Sequence, residues 1–230
     1  MRNERASKST KSSLPTSKAS KADLKGKAFR RPQALRIAET RSKIIEAAIE
    51  FIDQNSYHQA TIHKVAKQAD VSVGAVQHHF SCKFDLMISV VEESFLQLTQ
   101  IISELELEGE KLEKRLDLFL NACWSFCNSS RYQCSMQILQ SIRAEASDNF
   151  DNWLGEHLGQ IIETGFAQWH EVVGDSIMDQ TECYNTLLFI FAALSGAAQH
   201  YRINRDLNGA KINLEELKQL LSLKLKIKRP

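Results

Sequence analysis

The amino-acid sequence predicts an all-α protein: an N-terminal three-helix unit built around a helix-turn-helix, followed by a larger C-terminal helical domain. Three observations carry this. From Arg36 onward apolar residues recur at helical spacing; no stretch alternates apolar and polar residues as a half-buried strand would; and Thr61–Phe80 divides into two short helices across a tight break. With 230 residues, 43% of them hydrophobic, the chain has apolar material for a packed core, which excludes disorder over its whole length.

Residues 1–33 are low in apolar content and rich in Ser, Ala and Lys, and are expected to form a disordered basic arm. The three-helix domain is assigned to residues 34–88 and the helical body to 89–230. The first helix is expected to start in the high thirties, to place Ile37, Ile44, Ala48, Phe51 and Ile52 on one face, and to stop near Asn55-Ser56. Thr61 caps the second helix, whose inward face is Ile62, Val65, Ala66 and Ala69. Ser72 caps the third, whose inward face is Val73, Val76 and Phe80. The turn between them is Ala69-Asp70-Val71. Ala66 is small enough for the helices to cross closely, and Asp70 falls where the chain is expected to turn left-handed.

From Lys83 a long helix carries Leu86, Val90, Phe95, Leu98 and Ile102. Further helices are expected at about 110–128, 132–146, 149–173, 181–204 and 213–227. Gly109, Asn128-Ser129-Ser130, Ser147-Asp148, Gly174-Asp175 and Asn208-Gly209 divide them.

The formal charge of +1 is a cancellation. Residues 1–43 hold 13 Lys/Arg against 3 Asp/Glu, residues 44–90 hold 3 against 5, and residues 91–230 hold 13 against 20. A basic end joined to an acidic remainder points to a polyanion partner at that end, although a solvated tail would have the same composition.

The segment Thr61–Phe80, TIHKVAKQADVSVGAVQHHF, resembles the DNA-binding domain of the tetracycline-repressor (TetR) family of bacterial transcription regulators, over about residues 38–90. The residues that carry the resemblance are Ile44-Ile45-Glu46-Ala47-Ala48, Thr61, Val65-Ala66, Val71-Ser72, Gly74, His79-Phe80, Lys83 and Leu86. Two positions depart from the family pattern, Asp70 where Gly is usual and Gln77 where Tyr is usual. The resemblance implies a cytoplasmic homodimer that binds a palindromic operator in double-stranded DNA through the helix-turn-helix. It implies a C-terminal domain for dimerisation and ligand binding, with a small-molecule effector that is not identified; the cysteine spacing and dispersed histidines give no expectation of a cofactor or metal. Repression released by the effector is the expected mode, with activation or dual regulation as alternatives.

Reach assigns the contacts. Thr61, Ser72 and Lys83 are expected on phosphates. Val73, Ala75, Gln77 and His78 are expected towards base edges, with Gly74 allowing close approach. His79 and Phe80 are expected to face the first and fourth helices. Arg30, Arg31, Arg36 and Arg41 are expected to track phosphates or enter a minor groove.

In the body, Ala192, Ala193, Ser195, Gly196, Ala197 and Ala198 form a run of small residues, and Leu214, Leu217, Leu220, Leu221 and Leu225 form an apolar face. Ala193, Gly196, Ala197, Leu217 and Leu221 are expected at a four-helix dimer interface, the alternative being packing within one chain. Phe119, Trp124, Phe126, Met136, Trp153, Phe166, Trp169, His170 and Phe189 are candidates for an effector pocket, or plain core.

Cys123 and Cys127, at i and i+4, with Cys134, raise a thiol-sensing alternative. Catalysis is not expected: the chain has no phosphate-binding Gly loop, no G-x-S-x-G and no H-E-x-x-H. No window reaches 18 apolar residues, the N-terminus shows no apolar signal core, and five unevenly spaced Cys do not form a disulfide framework, so a reducing cytosol is expected and no membrane partner. A sequence-independent DNA binder using mainly the arm is a further alternative.

Overall fold

The computed structural model describes residues 32–145, 150–174 and 179–226, and among these every regular element is helical. The order is α1 (Gln33–Gln54), a 3₁₀ turn (Tyr57–Gln59), α2 (Ile62–Gln68), α3 (Val73–His79), α4 (Lys83–Ser103), α5 (Leu112–Cys127), α6 (Ser130–Glu145), α7 (Phe150–Val173), α8 (Gln180–Asn204) and α9 (Leu207–Lys226). Residues 1–31 of the expected arm and the expected Ser147-Asp148 break lie outside the described residues.

The helix-turn-helix forms as its sequence dictates. The Thr61 hydroxyl accepts from the Lys64 amide at 3.3 Å and the Ser72 hydroxyl from the Ala75 amide at 3.0 Å, so each short helix has a capped N-terminus. Between them Asp70 sits at φ 50°. The Val71 amide donates to the Ala66 carbonyl and the Asp70 amide to the Lys67 carbonyl, a Schellman ending with Asp where Gly is usual.

Four helix starts depart from expectation, α5 by beginning at Leu112 rather than about 110. α1 begins at Gln33, because the Pro32 carbonyl accepts from the Leu35 and Arg36 amides and opens the helix early. α6 begins at Ser130, where the Ser129 hydroxyl accepts from the Tyr132 amide. α9 begins at Leu207: Arg205 turns left-handed at φ 57°, and the Asp206 carboxylate accepts from the Gly209 amide at 2.9 Å. Asn208-Gly209 is therefore the first turn of a helix, not a break. Gly109 and Gly174 end their segments at positive φ as expected.

Two buried clusters organise the packing. The first gathers α1, α2, α3 and the start of α4 with Cys134, Ile138, Ile142 and Leu158 of α6 and α7. The second joins Leu98 and Ile102 of α4 to Phe119, Leu120, Cys123, Cys127, Trp169, Ile190, Leu194, Leu217, Leu221 and Leu225. Phe95 packs against both, so α4 is the spine shared by head and body.

The N-terminal turn of α6 is the polar joint between them. Ser130 donates to Asp53 at 2.7 Å, Arg131 pairs with Glu46, and the Cys134 thiol donates to the Ile49 carbonyl at 3.3 Å, all on α1. Tyr132 bonds Ser195 of α8, and Arg202 of α8 returns to Asp53 at 3.0 Å.

Candidate nucleic-acid interface

Helix α3 is short, and its burial is concentrated at one end of its cross-section. Val76 is fully buried and Phe80, just beyond the helix, is 2% exposed; Ser72, Gly74, Gln77 and His78 are exposed, and Val73 and Ala75 are half-buried. A Cβ built on Gly74 would meet only the Ser72 hydroxyl, at 3.9 Å, an ordinary contact. Packing therefore does not require glycine there, in the first turn of α3, and leaves room for close approach from outside. At the N-terminus of the helix the exposed residues, Ser72 and Gly74, are small, the form that suits approach to a phosphate or a groove floor.

The expected cations divide into two kinds. Arg36 is exposed and lines an open cleft of about 500 Å³ with Gln33, Ile37, Thr40 and His79. Arg41 is committed inside the head: it pairs with Glu93 of α4, and its guanidinium carbon lies 5.3 Å from the centre of the Phe80 ring. Lys83 is also engaged, donating to the Tyr57 carbonyl at 2.9 Å with its ammonium 4.1 Å from the centre of that ring. It holds the 3₁₀ turn against the start of α4. His79 is half-exposed in the Arg36 cleft rather than enclosed between helices; burial first, then the charges of His78 and Arg41, hold its imidazole pKa below 6.5.

Residues of α2 join this face without having been singled out. His63, Lys64 and Lys67 are exposed beside the Thr61 cap, and Lys64 bonds the Gln59 carbonyl at 3.0 Å. Their signal in the sequence was the pair Lys64 and Lys67, at i and i+3 on a short Thr-capped helix.

The outer face of α8 and α9 has the opposite chemistry. A groove of about 350 Å³ there is lined by Trp124, Phe189, Ala193, Gly196, Ala197 and Leu217, among others. Leu188, Phe189 and Leu220 stand 49–54% exposed, and Leu223 faces a neighbouring groove between α5 and α9. Of the residues expected at a dimer interface, Gly196 is exposed and Ala193 and Ala197 are half-buried on this face. Leu217 and Leu221 are 4% and 1% exposed and pack in the chain's own second cluster; Leu220 and Leu223 are the outward leucines.

The pocket candidates are dispersed. Phe119 and Trp169 are buried against each other with ring centres 5.1 Å apart, and the Trp169 indole donates to the Cys183 carbonyl. Phe126 packs with Phe95 and Tyr132, Trp153 lies between Phe84 and His157, Phe166 stacks on Tyr184, and Met136 is half-buried beside the second cluster. Trp124 and Phe189 line the α8–α9 groove, and His170 is exposed.

The thiols are similarly structural. Burial raises the Cys123 thiol well above its usual range and pushes Cys127 and Cys134 up to about 12, which disfavours the reactive thiolate. Among the described residues no group of His, Cys, Asp and Glu is placed to hold a metal ion, and no helix is long and apolar enough to cross a membrane.

Comparison with known proteins places this head. Residues 44–90 match the family described as bacterial regulatory proteins, tetR family. A fatty acid metabolism regulator protein of Bacillus subtilis is 35% identical over 83 residues, covering 36% of this chain and 43% of that protein. The transcriptional regulator CymR of Pseudomonas putida is 34% identical over 92 residues, covering 38% and 45%. The chain thus spans less than half the length of these curated relatives. The likeness of fold runs further: the structure of FadR from Bacillus subtilis in complex with stearoyl-CoA aligns with a TM-score of 0.62 at 20% identity, over 78% of this chain and 96% of that one. The helix-turn-helix built on Thr61 and Ser72 thus lies within a segment that matches the tetR family of bacterial regulatory proteins, and the all-helical body behind it shares its fold with a structure solved for a regulator.

Proposed function

We propose that the protein is a sequence-specific, DNA-binding transcription regulator that works as a homodimer. The observation that carries this is the condition of α3: held by Val76 and Phe80, it exposes Ser72, Gly74, Gln77 and His78 together on its outer side. Ser72, Thr61 and Arg36 take phosphates, and Gln77, His78, Val73 and Ala75 face the major groove. Lys83 and Arg41 act first by fixing the geometry of the head. Lys83 is half-exposed and retains a secondary phosphate contact. The basic arm over residues 1–33 adds salt-dependent affinity.

The dimer forms through the α8–α9 face, where Phe189, Ala193, Gly196, Ala197 and Leu220 meet their symmetry mates and Leu217 lines the floor. A two-fold pair presents two α3 helices to a palindromic operator with half-sites about 34–36 Å apart. The regulator acts in the cytoplasm as a repressor, released when an effector favours a body shape in which that spacing is lost. An acyl-CoA thioester is the effector class to try first, because the similar Bacillus subtilis protein was solved with stearoyl-CoA.

Selection from random DNA at physiological salt tests this reading. Enrichment of one two-fold-symmetric motif is the expected outcome; binding to all sequences alike would overturn it in favour of an arm-driven, non-specific binder.

A further inference from the structure

Helix α8 packs against α5, α7 and α9, all in the body, yet near its C-terminal end it reaches back to the head. There Nη2 of Arg202 lies 3.0 Å from Oδ1 of Asp53 on α1. The other oxygen of that carboxylate, Oδ2, accepts from the Ser130 hydroxyl of α6 at 2.7 Å. Asp53 thus joins three helices with both of its oxygens engaged.

For α1 alone the carboxylate is badly placed. It lies in the last turn, beside carbonyls that carry the negative end of the helix dipole, and no basic residue stands in that turn. The compensation comes from the other two helices. Ser130 is the first residue of α6, at the positive end of that helix, and Arg202 lies in the last turn of α8, where a cation is favourable. An acid disfavoured by its own helix and satisfied by two others serves the junction between them.

The polar ties between α1 and α6 follow a single stripe. Glu46, Ile49 and Asp53 recur at i, i+3 and i+7 on α1 and meet Arg131, Cys134 and Ser130. Ties along one line resist sliding better than tilting. Arg202 approaches Asp53 from a third helix, outside that line, and so opposes the tilt. With side chains 35% and 30% exposed, the pair adds little to stability on its own; what it supplies is direction. Helix α1 amplifies any tilt, because α2 and α3 pack on it. From Asp53 to Arg36 is about 25 Å at 1.5 Å per residue. A tilt of about 8° therefore moves the far end of α1 by about 3.4 Å, one base-pair rise.

We propose that Asp53, held by Arg202, is the positioning residue that fixes the separation of the two α3 helices in the dimer, and thereby the spacing between half-sites that the protein accepts. The pair acts through the placement of α3 and leaves base preference to the exposed side of that helix. This rests on the dimer reading above.

Cys82 supplies a native handle for the test: it is exposed at the N-cap of α4, whereas Cys123, Cys127, Cys134 and Cys183 are buried. A nitroxide attached to Cys82 of the full chain reports the distance between the two heads of the dimer by double electron–electron resonance, without DNA. The wild type is expected to give one narrow distribution. Asp53→Asn and Arg202→Gln should each widen it about twofold, and the double variant should be no wider than either, because both changes remove the same contact. Asp53→Asn keeps an acceptor for Ser130 and Arg202→Gln alters a partly exposed side chain, so either variant carries the test if the other does not fold. Selection from random DNA should return the wild-type half-site from each variant, spread over neighbouring spacings, with the preference for the favoured spacing reduced about tenfold. Lost stability alone would weaken binding without broadening the spacing. Unchanged widths, widening that adds up in the double variant, or unchanged spacing would overturn the proposal. If the variants widen the distance but the wild type selects no two-fold motif, the regulator reading fails and the positioning of the heads stands. A symmetric motif with unchanged widths does the reverse, and a wild type with no inter-head distance removes the dimer and the proposal together.

Discussion

The protein has two exposed faces that differ in nearly every physical respect. Around α3 the surface is small and polar, with Ser72, Gly74, Gln77 and His78 outward and Arg36 and His79 beside them. Around α8 and α9 it is largely apolar, with Leu188, Phe189 and Leu220 about half exposed. Each contains a helical glycine, Gly74 in the first turn of α3 or Gly196 within α8, at which an added Cβ meets no obstruction inside the chain. The first face suits a hydrated polyanion, which is met by hydrogen bonds and charge. The second suits removal from water against a like surface. One chain can carry both because its two cores, joined at Phe95, hold the faces on different helices.

The contrast is broken most severely by putting charge on the apolar face. Phe189→Glu with Leu220→Glu should convert the dimer to a monomer in sedimentation and reduce operator affinity by roughly 100-fold or more, since one α3 reads only half a site. Unchanged mass with this double variant would remove the α8–α9 face from the interface.

The two glycines sharpen the comparison. Gly196→Ala, within α8, should raise intrinsic helix stability by about 0.5–1 kcal/mol, and Gly74→Ala, in the first turn of α3, by less. Gly74→Ala should weaken DNA binding and leave the dimer intact, whereas Gly196→Ala should weaken the dimer. Thermal melts with sedimentation separate these effects. Lys83→Met distinguishes holding the head from touching DNA. If Lys83 also meets a phosphate, the salt dependence of binding falls by about one unit of slope; if it only ties Tyr57 to α4, stability drops and the slope stays.

The smallest effect concerns His79. Its pKa is lowered in the folded head, so between that lowered value and 6.5 the unfolded chain binds more protons than the folded one. Stability should be complete above pH 6.5 and decline as pH falls through that window, and His79→Gln should remove the decline in pH-dependent melts. A nearby DNA phosphate would raise the same pKa, so DNA binding should take up protons in that range.

These faces were unequally legible in the sequence. The head was readable because its signals are local: Thr61 and Ser72 cap helices three residues away, and Asp70 marks the left-handed turn between them. The start of α9 was misread because Asn208-Gly209 resembles a break until the Asp206 carboxylate is seen capping it. The leucines of α9 repeat so densely that the pattern fits two faces; α5 decides that Leu217 and Leu221 turn inward and Leu220 and Leu223 outward. The aromatic residues of the body failed as a pocket signal for the same reason, since packing across helices, not spacing along one, determines whether Phe119 or Trp169 meets solvent. The ties of Glu46 and Asp53 to Arg131 and Arg202 join residues 85 and 149 positions apart and leave no trace in the linear pattern.

The central claim is that the exposed side of α3 reads base sequence, twice, through a two-fold pair. The most direct measurement selects DNA from a random pool with the full-length wild type and with Gln77→Ala, and compares the two motifs position by position. The account predicts one symmetric motif with half-sites a helical turn apart, and a preference changed by Gln77→Ala at the same position in each half-site while the remainder persists. An identical motif from both proteins, or no motif from either, would contradict it.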